Sequence, residues 1–352
     1  DGFVRVISPV DDTPAYKAGL KAGDLIIYID DECINGISSE EALEKLRGKP
    51  KTCVKLKIKR NDKPPFDVEI ERDVIKVQSV KTEVLDNIGY VRIATFDKNT
   101  CKDVIKFIQE NKNKNLHGIV LDLRNNPGGL LDECVALSNI FLKGGKIVST
   151  RGRIQENTRS FYADNEDLTN GLPLVVLINS GTASAPEIVA GALRDNKRAI
   201  IVGSRSFGKG SVQKVIPLSE KTAIKLTIAK HYTPNGECIQ ANGISPDVEA
   251  DYATIQKPEL FIIREEFFNN ALDADKKAKN KKFADAQNKK SLDELAKKKG
   301  KNNEEEEDQE LLYRKLSLRE RVDKDYQLNK AFDVINVLKK FSSMSSGKNE
   351  KK

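Results

Sequence analysis

The chain opens with short runs in which apolar and polar residues alternate. FVRVIS, LIIYID, VKLKIKR and FDVEIER carry the β-branched, period-two pattern of strands. Between the first two, Thr13-Pro14 reads as a helix start and Gly19 as its end. SSEEALEKLRG predicts a second helix, capped by Ser38 or Ser39 and stopped by Gly48. Residues 1–75 are therefore expected to form a small β domain with one short and one longer helix.

From residue 76 the pattern changes. KVQSVKTEVLDNIGYVRIATFD reads as strands and TCKDVIKFIQENKNKN as an amphipathic helix. LHGIVLDL is a nearly continuous apolar strand that runs into the Gly-rich turn RNNPGG, and LDECVALSNIFL is helical. KIVSTRGR and RSFYADN predict strands or a hairpin. LPLVVLIN is a fully buried strand, followed by SGTAS and the helix APEIVAGALRDN. AIIVG is a further strand, ahead of SRSFGKGSVQKVIPL and AIKLTIAKHYTPNG. Strands alternating with helices over residues 76–258 argue for a layered α/β core.

Beyond residue 258 the apolar pattern fades. The last 94 residues carry 23 basic and 19 acidic side chains, so residues 259–324 are expected to be a charged insertion, partly helical or disordered. Helical periodicity returns over 325–341, where Leu328, Ala331, Phe332, Ile335 and Leu338 have core-like spacing. That helix is expected to pack back on the core, with residues 342–352 as a tail.

Composition excludes several kinds of chemistry. Of 352 residues two are His and five are Cys, with no CxxC pair, so neither a zinc ribbon nor a disulfide framework is indicated. No metal or cofactor is expected. The net charge of +7 is small beside 60 basic and 53 acidic residues and gives little support for nucleic acid as a partner. No run of 18 apolar residues of the membrane-spanning kind occurs. The sequence starts at Asp1 without an initiator Met, as expected of a fragment or a processed chain.

A nucleophile needs an activating base. His117 opens an apolar strand and His231 lies inside a strand-like run, so structural roles fit both better than a Ser-His pair. Ser184 lies at a strand–turn–helix junction among Gly181, Ala183 and Ala185, small residues that allow another chain close to the backbone. Pro186 suits the first helical turn, and the N–H groups there favour negative charge. A plain helix cap explains Ser184 equally well. Lys209 stands between Gly208 and Gly210, next to Phe207. Lys serves as a general base when desolvation lowers its pKa, and burial beside Phe207 would supply that. A phosphate loop is disfavoured, because Gly210 follows Lys209 where GxxxxGK[ST] needs Ser or Thr.

Two stretches carry a family resemblance. SPVDDTPAYKAGLKAGDLIIYIDDECINGISSEEALEKLRGKPKTCVKLKIKR resembles a PDZ domain of the bacterial protease-associated type. Such domains take a peptide C-terminus as an added strand and hold its carboxylate in a nest of N–H groups. The loop that forms the nest normally precedes the first strand seen here, so the PDZ domain (1–75) is expected to be N-terminally incomplete. DLRNNPGG, GTASAPEIVAGALRD, FGKGSVQ, YTPNG and GISPDV resemble, in order and spacing, the carboxyl-terminal processing peptidases, or tail-specific proteases. The resemblance covers residues 1–258 and the DYQLNKAFDVINVL helix.

It implies an α/β fold in which the PDZ domain precedes a crotonase-like ββα peptidase core (76–258). It implies a Ser-Lys dyad with Ser184 as nucleophile, Lys209 as general base and Gln213 orienting the lysine. The oxyanion hole falls on the backbone N–H groups of Gly129 and Ala185, with Asn125 and Asn126 shaping the turn. Implied partners are protein or peptide C-termini as substrates and an adaptor protein, with membrane attachment only through residues ahead of Asp1. The implied location is the bacterial cell envelope, chiefly the periplasm. Pro186 and His231 depart from the family pattern, where a small polar residue and Tyr are common. A catalytically silent PDZ adaptor is the alternative, and acyl-CoA chemistry on a crotonase-like core has no support from a PDZ domain or a Ser-Lys pair.

Overall fold

The computed structural model describes residues 2–256 and 316–346, apart from 11, 12, 62, 76, 77, 165, 166, 220 and 221. Residues up to Thr254 and from Leu316 form one unit. Most of the expected charged insertion lies outside the described residues.

The N-terminal domain is a sheet of β1 (Val4–Arg5), β2 (Leu25–Ile29), β4 (Cys53–Lys59) and β5 (Phe66–Glu71) in the order β1-β2-β4-β5, with β3 (Glu32–Cys33) paired to β2. The alternation of β4 puts Val54, Leu56 and Ile58 into its core and Lys55 and Lys57 outside. Helix α1 (Pro14–Lys17) starts where expected, with the Thr13 side chain accepting from Tyr16 N at 3.3 Å. Helix α2 (Ser39–Leu46) is closed by a reciprocal pair: Ser38 Oγ accepts from Glu41 N at 3.1 Å, and the Glu41 carboxylate accepts from Ser38 N at 2.9 Å. The helix ends at Arg47 in extended backbone rather than through a left-handed Gly48. Gly48 instead leaves space for Arg72, whose Cδ and Nε would lie 2.8 Å from an added Cβ.

The core domain is built on six strands in the order β15-β12-β11-β8-β7-β6. They are β6 (Val80–Leu85), β7 (Ile88–Ile93), β8 (Gly118–Asp122), β11 (Leu174–Ile178), β12 (Ile200–Gly203) and β15 (Val248–Glu249). All run parallel except β6, which is antiparallel to β7. Helices cover both faces, which explains why β7, β8 and β11 are buried at every position. Leu174, Val176 and Ile178 point to the cluster containing α3 (Thr100–Asn111), α4 (Leu131–Asn139) and α5 (Ala185–Asp195). Val175 and Leu177 point to the other face, against α6 (Leu318–Lys324) and α7 (Tyr326–Ser346). Leu328, Ala331, Phe332 and Ile335 are buried there and Leu338 is half-buried. Helix α7 continues to Ser346, so its described part extends into the expected tail.

A second sheet, ordered β10-β9-β14-β13, joins β9 (Lys146–Gly152), β10 (Arg159–Tyr162), β13 (Ser211–Pro217) and β14 (Ala223–Tyr232). Its edge strand β13 begins two residues after Lys209.

Candidate active site

Ser184 occupies the turn between β11 and α5 with φ 70° and ψ −114°. A non-glycine residue held there stores strain of roughly 1–3 kcal/mol, which the surroundings must offset. The main offset comes from Glu187 in the first turn of α5. Its carboxylate is fully buried and accepts four hydrogen bonds. Oε2 accepts Ser184 N at 2.7 Å and Lys209 N at 2.9 Å. Oε1 accepts Gly208 N and Ser206 Oγ, both at 2.6 Å. Ser206 Oγ in turn accepts Ile244 N at 2.6 Å, which fixes its own proton on Glu187. One carboxylate thus stitches the segment 206–209 to the turn that carries Ser184.

The turn RNNPGG lies directly against Ser184. A Cβ on Gly128, whose φ is +119°, would stand 3.0 Å from Ser184 Cβ and 3.4 Å from Ser184 Oγ. Asn126 shapes the turn from within: its Oδ1 accepts Gly128 N at 2.9 Å and its Nδ2 donates to Ile93 O at 2.9 Å. Asn125, at φ 52°, is gripped by Asn179, which accepts its N–H and donates to its Oδ1, each at 2.9 Å. Phe96 N donates to Gly128 O at 2.9 Å and Leu130 N to Phe96 O at 3.0 Å, so the intervening Gly129 N–H faces away from Phe96. Only glycine fits at 129, because a Cβ would lie 2.1 Å from Phe96 O. Gly129 N and Ala185 N donate to no acceptor among the described residues. The N-terminal domain touches this turn as well, through Ser8 Oγ donating to Asn125 O at 2.6 Å.

Not every expected contact forms. Lys209 is half-buried, not fully desolvated, and Phe207 does not cover it, being 43% exposed. Among the described residues the Lys209 ammonium has no hydrogen bond or ion pair, so it does not bond Ser184 Oγ. Gln213 is exposed on β13 and makes no hydrogen bond to Lys209. Extended backbone advances about 3.3 Å per residue, which carries position 213 away from position 209. A register shift between Val212 and Gln213 further alters where Gln213 sits against β14. Glu187 and Ser206 were not singled out from the sequence. A signal for Glu187 was present, since Ser184-Ala185-Pro186-Glu187 has the spacing of a reciprocal helix cap.

The histidines lie elsewhere. His117 sits beside Lys339, and His231 is buried on β14, where burial lowers its pKa to about 4. No cluster of His, Cys, Asp and Glu suited to a metal occurs among the described residues, and all five cysteines are free.

The chain is similar to known proteins. Residues 87–250 match peptidase family S41 and residues 5–60 match the PDZ domain. A carboxy-terminal-processing protease of Bartonella bacilliformis is 48% identical over 263 residues, covering 73% of this chain and 60% of that protein. The carboxy-terminal processing protease CtpA of Bacillus subtilis is 37% identical over 259 residues, covering 72% of this chain and 55% of that protein. The chain thus spans little more than half the length of these two relatives. The solved structure of a photosystem II D1 C-terminal processing protease is 34% identical with a TM-score of 0.66, covering 71% of this chain and 69% of that one. The chain belongs to peptidase family S41, with a PDZ domain ahead of the peptidase core.

Proposed function

We propose that the chain is a serine endopeptidase that cleaves protein substrates near their C-termini, with Ser184 as nucleophile and Lys209 as general base. The observation that carries this reading is the shared carboxylate: Ser184 N and Lys209 N both donate to Glu187 Oε2, so both reactive side chains spring from backbone fixed to one point. Lys209 in its deprotonated form takes the proton of Ser184 Oγ as the oxygen attacks the peptide carbonyl. The N–H groups of Gly129 and Ala185, which have no partner among the described residues, stabilise the tetrahedral oxyanion. Lys209 then gives its proton to the leaving amine, and water hydrolyses the acyl-enzyme. The arriving peptide completes the partial burial of Lys209.

The PDZ domain captures the substrate's C-terminal residues in this reading. By family resemblance the protein works in the bacterial cell envelope, which fractionation of cells against periplasmic and cytoplasmic markers checks. A catalytically silent PDZ adaptor is the second reading, favoured by the Lys209 ammonium standing apart from Ser184 Oγ. Purified Ser184→Ala and Lys209→Ala proteins decide between them. Each is expected to fold and to lose cleavage of a peptide with an apolar C-terminus. Substantial cleavage by either variant removes the dyad, and no cleavage by the parent chain leaves the adaptor.

A further inference from the structure

A buried ionic cluster joins the C-terminal helix to the turn beside Ser184. Arg124, the residue before Asn125, is its centre. Its Nη2 donates to Asp122 Oδ2 at 2.7 Å, and its Nη1 donates to Asp325 Oδ2 at 2.8 Å and to Gln327 Oε1 at 3.1 Å. Its backbone is held too: Arg124 N donates to Asp122 Oδ1 at 3.0 Å, and Arg124 O accepts from the Arg92 guanidinium. Tyr90 OH completes the Asp122 shell at 2.9 Å. Burial would raise the Asp122 carboxyl, but the guanidinium groups of Arg124 and Arg92 outweigh it and hold the pKa well below the usual range.

The far side of the cluster is equally fixed. Asp325 Oδ1 accepts Leu328 N at 3.1 Å, Tyr326 N donates to Ala253 O at 3.0 Å, and Gln327 Nε2 donates to Ala250 O at 2.8 Å. Leu328, Ala331, Phe332 and Ile335 anchor the helix against the sheet. Two arginines therefore meet two carboxylates, and the second carboxylate comes from 201 residues away in the chain. Losing Asp325 would take a carboxylate away from the half-buried Arg124 guanidinium, at the residue that launches the Asn125–Gly129 turn.

We infer that Asp325 and Gln327, at the start of the C-terminal helix, are positioning residues that hold Arg124 and thereby set the Gly129 N–H for the oxyanion. This deepens the peptidase reading and rests on it. A positioning defect lowers the chemical step more than substrate capture, which rests with the PDZ domain. In the purified full chain, Asp325→Asn is expected to lower kcat about 30-fold with KM within about twofold, and Gln327→Ala to lower kcat about fivefold. Asp325→Glu, which keeps the charge, is expected to recover part of the loss.

Backbone hydrogen exchange supplies a second readout. Exchange in Asp325→Asn should rise at residues 125–130 and stay unchanged over 331–335, where the helix is docked. A kcat within twofold of the parent for Asp325→Asn overturns the inference, as does faster exchange along the whole helix, which would mark general undocking. If Asp325→Asn does not fold, Gln327→Ala decides on the same two readouts. Cleavage that persists in Ser184→Ala would sink the peptidase dyad instead, and exchange at 125–130 would still report on the link to Arg124.

Discussion

Ser184 and Lys209, 25 positions apart, donate their backbone N–H groups to the same oxygen, Glu187 Oε2, at 2.7 and 2.9 Å. The other oxygen accepts Gly208 N and Ser206 Oγ, so all four partners are donors. A glutamine at 187 must turn an NH2 group toward two of them. Hydrogen bonds to a charged group contribute about 1.5–3 kcal/mol each, and a loss near 3 kcal/mol corresponds to a roughly 100-fold drop in rate. Glu187→Gln is therefore expected to lower kcat about 100-fold and to shift the lost activity into slower labelling of Ser184 by an acylating serine reagent. Labelling at the parent rate would show that the shared carboxylate does not set the nucleophile.

Gly128 offers a sharper steric test. Its φ of +119° is one that L side chains rarely adopt, and a Cβ there would press on Ser184 Cβ at 3.0 Å and Ala183 O at 3.1 Å. Ser184 Cβ is set by a backbone tied to Glu187, so the turn and the nucleophile must shift apart to make room. Gly128→Ala is expected to abolish peptide cleavage and to cost about 1–3 kcal/mol of stability in urea unfolding. Retained cleavage would mean that the turn lies farther from the reacting serine than the geometry states.

The N-terminal domain can be weakened without touching the chemistry. Asp24 has a fully buried carboxylate that Arg60 grips from Nε and Nη2, each at 2.7 Å, while Lys21 N donates to it at 2.8 Å. Arg60→Ala leaves that carboxylate short of its cation, a loss of about 3 kcal/mol. Hydrogen exchange should speed up in β2 and β4 and stay unchanged in β8 and β11. If the domain captures substrate, KM rises while the labelling rate of Ser184 holds. A fall in labelling as large as the rise in KM would instead mean that the Ser8–Asn125 contact carries the damage into the core.

Much of this was legible in the sequence because it is local. Period-two alternation located β4, the apolar runs located β8 and β11, and Thr13 and Ser38 marked helix starts through side chains that reach only three residues. Ser184 and Lys209 were legible as motifs, although their motifs do not reveal what joins them. Ser206 carries no local signal, because its role depends on a loop folding back onto α5. Family spacing puts Gln213 beside Lys209, whereas in the structure it is exposed on β13 and makes no hydrogen bond to the lysine. The periodicity marks Asp325 as the start of a docked helix, yet its partner Arg124 lies 201 positions earlier. Nothing in the periodicity of either segment links the two.

The last prediction concerns pH. His231 is 7% exposed, its Nδ1 has no hydrogen-bond partner, and burial lowers its pKa from 6.5 to about 4. The unfolded chain therefore binds a proton as pH falls below 6.5, whereas the folded protein stays neutral at this site until pH 4. Stability from this group is complete above pH 6.5, declines between 6.5 and 4, and levels off below 4. The slope is about 1.4 kcal/mol per pH unit, or about 3 kcal/mol across the window. His231→Leu removes the titration while the carboxylates common to both proteins cancel in the comparison. Urea unfolding at pH 7, 5.5 and 4.5 should show His231→Leu gaining on the parent chain as pH falls. A parent-minus-variant difference that stays flat over that range would mean that the His231 ring is hydrated or hydrogen-bonded in solution.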